Sequence, residues 1–427
     1  MKNEAHPLLS ISLIRSSRQA LRIGYNQVQI MRTLFTNARI LTMADGPMLL
    51  KGYLAVDGST ISYIGEKKPF FRANQIIDCH NMILMPGLKN AHTHSAMVFL
   101  RHFAEGLPLQ EWLSQVYPME AKLTGDDIYW LSQAAYVEYI KGGTTAFFDM
   151  YFFPHMIAKA AEDLGIRCVN LYMPNGTPER RQLIEDQFEK YLHQDCLVRP
   201  MIGYHAEYTA DEGTLKDVKD IADKYRLPVF THISETQAEV DGCFKRHGIS
   251  PVEFMDQRGF FQYGGGGYHC IYLTDHDQEI FINKNLYAVS CPGSNMKLKD
   301  GTAPLTIYWK EGIVVALGTD GASSNESLSM WREMRLAHEQ NPDIPLYEIL
   351  KMGTVNGAHA MFIDNCDVLA KGKKADLIQV DAENVDSLVL KTKDEDVKLV
   401  MINGSIVHPD EKTILSHSDA CTKRLRS

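Results

Sequence analysis

The stretch Met85-Pro86-Gly87-Leu88-Lys89-Asn90-Ala91-His92-Thr93-His94-Ser95 decides how the chain is read. Side chains alternate with period two along a strand, so His92 and His94 project to the same side. Pro86-Gly87 ends whatever regular element precedes, and Ser95-Ala96 opens a new one. The pair is expected at a strand end, facing one pocket. Alone, an H-x-H pair also fits two histidines in a half-buried strand, so its meaning rests on what else the chain supplies.

Downstream of it, short apolar strands alternate with helical stretches. Thr124 followed by Asp126 and Asp127 starts a helix, because acids in the first turn suit the helix dipole. Ile128, Leu131, Ala135 and Tyr139 recur at helical spacing, and Gly142-Gly143 stops the run. Strand candidates are Thr145 to Met150, Arg167 to Tyr172, Pro200 to His205, Pro228 to His232, Tyr268 to Tyr272, Tyr287 to Ser290 and Ile313 to Leu317. With the His92 strand they make eight, the number a (β/α)8 TIM-type barrel requires; a doubly wound sheet is the alternative.

Upstream, Thr33 to Ile83 reads as short strands broken by turns, with Asp57-Gly58 a good turn. Lys374 to Val380, Val397 to Ile402 and the Asn403-Gly404 hairpin resume that character near the other end. Two β-rich ends then flank the barrel. The expected division is 31–85 with 365–415 as a small β domain, 86–364 as the barrel, and 1–30 as a poorly ordered extension. In that extension the apolar run Leu8 to Ile14 precedes Arg15, Arg18 and Arg22, without the longer apolar core and cleavage site of a signal peptide.

Composition narrows the class. Of 427 residues 45% are hydrophobic and 23% charged, ordinary for a globular protein. A net charge of -9 argues against a dedicated nucleic-acid surface and for small or neutral ligands. Eight scattered cysteines without a C-x-x-C pair indicate a reducing, cytoplasmic home, and no apolar run is long enough to cross a membrane. Homo-oligomerisation is left open.

The chemistry collects at the strand ends. His92 and His94 end the first strand, His205 the fourth, His232 the fifth and Asp320 the eighth, while His269 lies in the sixth. In a barrel, the C-terminal strand ends surround one site. Three imidazoles and a carboxylate suit zinc or ferrous iron and leave a position for water. No lysine occurs in Pro200 to Tyr208, so a bridging carbamylated lysine is not available there and one metal ion is expected.

P-G-x-x-N-x-H-T-H at Pro86–His94, H-x-x-E at His232–Glu235, H-C at His269–Cys270 and G-T-D-G-A-x-S-N at Gly318–Asn325 resemble the amidohydrolase superfamily. More narrowly, the chain resembles the mononuclear aminohydrolase branch of 5-methylthioadenosine/S-adenosylhomocysteine deaminases and triazine chlorohydrolases, from about Met31 to Val407. The resemblance implies that the β-rich ends form one small sandwich beside the barrel. It implies His92, His94, His232 and Asp320 as ligands of one divalent ion, zinc before iron. Glu235 matches the acid that shuttles a proton to the ring nitrogen, and His269 the histidine beside the activated water. Asp320 can accept the water proton while remaining a ligand. His205 matches a substrate-contacting histidine. Trp112 and Glu120 match a loop covering the nucleoside, the glutamate holding ribose hydroxyls. Asn295 matches a structural motif whose expected role is loop order.

Departures cluster where substrate would sit. Tyr172 takes the place of a family arginine, and a second such arginine corresponds to Arg180 or Arg181. Tyr204-His205-Ala206-Glu207-Tyr208 replaces the usual P-H-S-P-Y, so Glu207 is expected to favour a cationic or donor-rich group unless it points to solvent. Gly264 to Gly267 reads as a flexible insertion before His269. The implied function is hydrolytic deamination of an amino-substituted purine nucleoside or related heteroaromatic. Guanine, pterin or triazine substrates are the runner-up, and an inactive sensor or scaffold of the same fold is the third reading.

Overall fold

In the computed structural model, residues 31–44 and 46–426 are described; the expected extension 1–30 lies outside them. The β-rich ends build one sheet. Its strands are β1 (Arg32–Leu41), β2 (Leu49–Asp57), β3 (Thr60–Gly65), β4 (Gln75–Asp78) and β5 (Ile83–Pro86) from the N-terminal side. Past the barrel strands β6 to β13, the chain adds β14 (Leu377–Val380), β15 (Val397–Ile402) and β16 (Ser405–Ile406). The two ends join where β5 pairs antiparallel with β14 and parallel with β1. The two segments expected at Thr33–Phe35 and Ala38–Thr42 are one strand whose register slips between Phe35 and Ala38, with Asn37 at φ +52° absorbing the irregularity. Asn403 and Gly404, both at positive φ, make the tight β15–β16 turn.

The barrel strands are β6 (Leu88–Thr93), β7 (Thr144–Met150), β8 (Arg167–Tyr172), β9 (Val198–Gly203), β10 (Val229–Ile233), β11 (Gly265–His269), β12 (Tyr287–Ser290) and β13 (Val314–Leu317). All neighbours run parallel in chain order. The ring approaches closure because the first and last strands meet. Asp320 N donates to His92 O at 3.0 Å, and the Asn90 side chain takes Thr319 N at 2.9 Å while donating to Thr319 Oγ1 at 2.7 Å. Inward residues such as Ala146, Phe148, Val169, Leu171, Met201, Phe230, Val289 and Ala316 fill the interior, so the barrel is a packed core with its site at one mouth.

Two elements differ from expectation. The glycine run is not an insertion: Gly265–Gly267 are buried and form β11 itself. A Cβ at Gly266 would lie 2.1 Å from Tyr287 O, and one at Gly267 2.0 Å from Ile233 Cγ2. Only glycine lets the neighbouring strands approach this closely. Residues Glu411–Arg426, left without an element by the sequence, form a helix. Its Ile414 packs on Ala134 and Val137 of the helix Gly125–Lys141. That second helix begins at Thr124 as expected, in a capping box with Asp127. No helix among the described residues is long and apolar enough to cross a membrane.

Candidate metal centre

Strand parity sets the first two groups. His92 lies near the end of β6 and His94 just past it, their ring centroids 4.8 Å apart. His232 on β10 comes within 4.9 Å of the His92 ring and 5.4 Å of the His94 ring. Asp320, three residues past β13, puts Oδ1 3.5 Å from His92 Nε2 and 3.1 Å from His94 Nε2. Ligand atoms of His92, His232, His269 and Asp320 all lie within 4.8 Å of one another.

The surroundings leave lone pairs aimed inward. His232 Nδ1–H donates to His205 O at 2.8 Å and His94 Nδ1–H to Met150 O at 2.5 Å, so in each ring Nε2 is the free nitrogen. Ser294 and Ser324 hydroxyls hold Asp320 Oδ2 at 2.6 and 2.7 Å, while its buried Oδ1 accepts no hydrogen bond. Both nitrogens of the fully buried His92 lack partners as well. Orphaned buried atoms of this kind are costly unless a cation takes them. Burial lowers the His92 imidazole to about 3 and that of His205, next to His94, to about 4, keeping both neutral. A nitrogen-rich set with one carboxylate fits a zinc-class ion.

His269 is oriented from behind. Its Nδ1–H donates to Asn295 Oδ1 at 2.8 Å, and its Nε2 lies 3.5 Å from Glu235 Oε1. Asn295 therefore does more than order a loop. Glu235 sits past β10 where Ser234 N and Glu235 N donate to the Glu239 carboxylate at 3.0 and 2.9 Å. Burial pushes the Glu235 carboxyl well above its ordinary range, and the nearby Asp320 and Glu239 charges add to the rise. Ser234, His269 and Asp320 adopt φ of +50°, +70° and +58°. Such left-handed backbone costs about 1–3 kcal/mol per residue and gathers at functional sites.

Above the centre is an apolar pocket. Trp112 and Glu120, on the helix Leu109–Glu120, line it with Leu109, Leu113, Met97, Met150, Tyr208 and Leu298, and His205 closes one wall. Tyr151 Oη–H donates to Glu120 Oε1 at 2.6 Å. Burial raises the Glu120 carboxyl, and that hydroxyl pulls it back.

Other residues fall elsewhere than expected. Arg181 does not reach the pocket: Glu185, Asp217 and Asp220 hold its guanidinium at 3.0 Å each, on the outer helix layer. Arg180 donates Nε–H to Met173 O at 3.0 Å and lines an outer chamber that shares Tyr117, Phe152, Met173 and His205 with the inner pocket. Tyr172 faces the helix layer against Phe188, so Met173, one residue on, is what strand parity turns inward. Glu207 meets neither substrate pocket nor solvent; Arg246 Nε at 3.0 Å and His247 Nε2 at 2.8 Å neutralise it. Ser324 belongs to the quoted Gly318–Asn325 motif but was given no role, and Ser294, Glu239 and Tyr151 were given none either, since Ser294 and Glu239 sit on helices that no periodicity ties to the ligands.

Three comparisons bear on these residues. Residues 83–407 match the model of the Amidohydrolase family. A 5-methylthioadenosine/S-adenosylhomocysteine deaminase of Thermoanaerobacter pseudethanolicus is 36% identical over 403 residues, covering 88% of this chain and 94% of that one. Its counterpart in Dictyoglomus thermophilum is 37% identical over 399 residues, covering 88% and 93%. Among solved structures, an adenosine deaminase from Xanthomonas campestris with bound zinc superposes with a TM-score of 0.87 at 25% identity, covering 93% of this chain and 99% of that one.

Proposed function

This chain belongs to the amidohydrolase family, and on that premise we propose that it is a cytoplasmic, metal-dependent hydrolytic deaminase of an amino-substituted purine nucleoside, of the 5′-methylthioadenosine, S-adenosylhomocysteine or adenosine kind. The observation that carries the reading is the placement of a buried, proton-retaining carboxyl, Glu235, beside a convergent set of imidazole and carboxylate donors. His92, His94, His232 and Asp320 are the residues that hold one divalent ion, zinc by the character of the donors. Such an ion, when bound, supplies Lewis-acid polarisation that lowers the pKa of a water to about 7.

The chain's own residues do the rest. Glu235 gives its proton to the ring nitrogen next to the amino-bearing carbon, which makes that carbon electrophilic. Asp320 takes a proton from the attacking water and passes it to the exocyclic nitrogen. The C–O bond forms, the C–N bond breaks and ammonia leaves. His269, fixed by Asn295 with Nδ1–H as donor, offers Nε2 on the Glu235 side of the reacting centre. So fixed, Nε2 accepts a hydrogen bond from the attacking water and orients it. Trp112 and the aliphatic side chains around it exclude bulk water and accept a flat heteroaromatic ring with an apolar extension. Glu120, a buried carboxyl with one hydroxyl donor, has acceptor capacity left for the hydroxyls of a ribose.

The test is ammonia release by metal-loaded protein from a panel of aminopurine nucleosides, free bases, pterins and triazines. Release from nucleosides is the expected result. Silence across the whole panel would remove the deaminase reading, and turnover confined to a free base would move the substrate to the guanine type.

A further inference from the structure

One buried acid lies outside the chemistry and interrupts an apolar face. On the helix Met330–Gln340 the buried residues are Met330, Trp331, Met334 and Ala337, with the fully buried Glu333 among them. A side chain that only filled space there would be apolar, because burying a carboxyl is costly unless hydrogen bonds offset it.

Both oxygens of Glu333 are engaged, each by a different loop. Gly293 N–H donates to Oε2 at 2.8 Å, and Asn325 Nδ2–H donates to Oε1 at 2.9 Å. The same Asn325 amino group donates to Thr319 O at 2.7 Å, while Arg332 Nη1–H and Glu326 N–H donate to Asn325 Oδ1 at 2.8 Å each. With donors on one side and acceptors on the other, the amide has a single orientation. Gly293 has to be glycine for this approach: a Cβ would lie 2.5 Å from Glu333 Oε1 and 2.7 Å from Asn325 Oδ1.

The residues so held are sequence neighbours of those that orient the metal centre. Ser294, after Gly293, and Ser324, before Asn325, give the two hydroxyls that hold Asp320 Oδ2 at 2.6 and 2.7 Å. That leaves Oδ1 turned toward His94 Nε2, 3.1 Å away. Asn295, two residues past Gly293, takes His269 Nδ1–H at 2.8 Å. A shift of either loop would therefore turn the Asp320 carboxylate or the His269 ring.

We propose that Glu333 is a positioning residue: it clamps the two loops together, so that Asp320 presents one oxygen to the ion and His269 keeps its ring in place. The inference rests on the metal-dependent deaminase reading given above. Glu333 lines neither the inner pocket nor the outer chamber, so it acts only through the loops.

The test is Glu333→Gln in the full chain, which keeps the volume but offers one acceptor where two donors arrive, so that one loop is released. Zinc affinity, read by competition with a chromophoric chelator, is expected to fall at least about tenfold, and the visible d–d bands of the Co2+-loaded protein are expected to shift. The kcat for ammonia release from a nucleoside is expected to fall at least about tenfold with KM held within about twofold, since the pocket is untouched. Gly293→Ala, which sets a methyl against Glu333 Oε1, is expected to reproduce the loss of affinity and the band shift. Ile414→Ala loosens the packing of the helix Glu411–Arg426 instead. It is expected to lower the thermal midpoint while affinity and bands stay native. Native affinity together with native bands in Glu333→Gln, or in Gly293→Ala should the first variant not fold, overturns the proposal. Equal changes in Ile414→Ala overturn it too, because they would trace the effect to general loosening. A native protein that binds zinc but releases ammonia from nothing overturns the deaminase reading instead, and affinity and spectrum then decide on Glu333 alone.

Discussion

At the residue scale, position along a strand carried most of what the sequence revealed. His92, His94, His232 and Asp320 stood out because parity and strand ends place them; in the structure the donor atoms of His92, His232 and Asp320 gather with that of His269, and His94 Nε2 lies 3.1 Å from Asp320 Oδ1. Arg181 and Glu207 were not legible, because their roles depend on partners far along the chain: Asp217 and Asp220 for one, Arg246 and His247 for the other. Replacing Glu235 with glutamine keeps the volume and removes the transferable proton. It is expected to lower kcat by roughly 10²–10⁴-fold without loss of metal, read by ammonia release and elemental analysis on the same sample. Glu120→Ala is expected to raise KM for nucleosides at least about tenfold while leaving any free-base turnover as it was. Equal losses on both substrate types would take the ribose from Glu120.

At the element scale, eight strands were countable in advance, but the sixth was misplaced. Glycines read as loop residues because they lack β propensity, and nothing in Gly264-Gly265-Gly266-Gly267 itself says that two strands press against it. In β11 the missing Cβ is what admits the flanking backbones. Gly266→Ala would set a methyl 2.1 Å from Tyr287 O. It is expected to cost at least about 1–3 kcal/mol, seen as a lower thermal midpoint in the metal-free protein, where ion binding cannot mask it. An unchanged midpoint would mean that β11 has room to move. The helix Glu411–Arg426 escaped notice for the opposite reason. Its apolar residues are few, and its packing surface, Ala134 and Val137, lies far earlier in the chain.

At the scale of the whole molecule, the β-rich ends were readable as partners, since each alone has exposed strand edges that the other can pair. What the sequence did not disclose is how they are tied to the barrel. Arg167 of β8 donates to both carboxylate oxygens of Asp376, at 2.8 and 3.0 Å, and both residues are buried. Asp376 also accepts from Asn403 N in the β15–β16 turn at 2.8 Å. Asp376→Ala leaves a buried guanidinium without its counter-charge, and a loss of about 3–5 kcal/mol in chemical denaturation is expected. The metal centre sits at one mouth of this assembly, and its stoichiometry is the claim on which the rest depends. The direct measurement is ammonia release by chelator-stripped protein as Zn2+ is added back. The account predicts no activity before addition and a rise that breaks at one equivalent per chain. Activity that survives stripping, or a break at two equivalents, would contradict it.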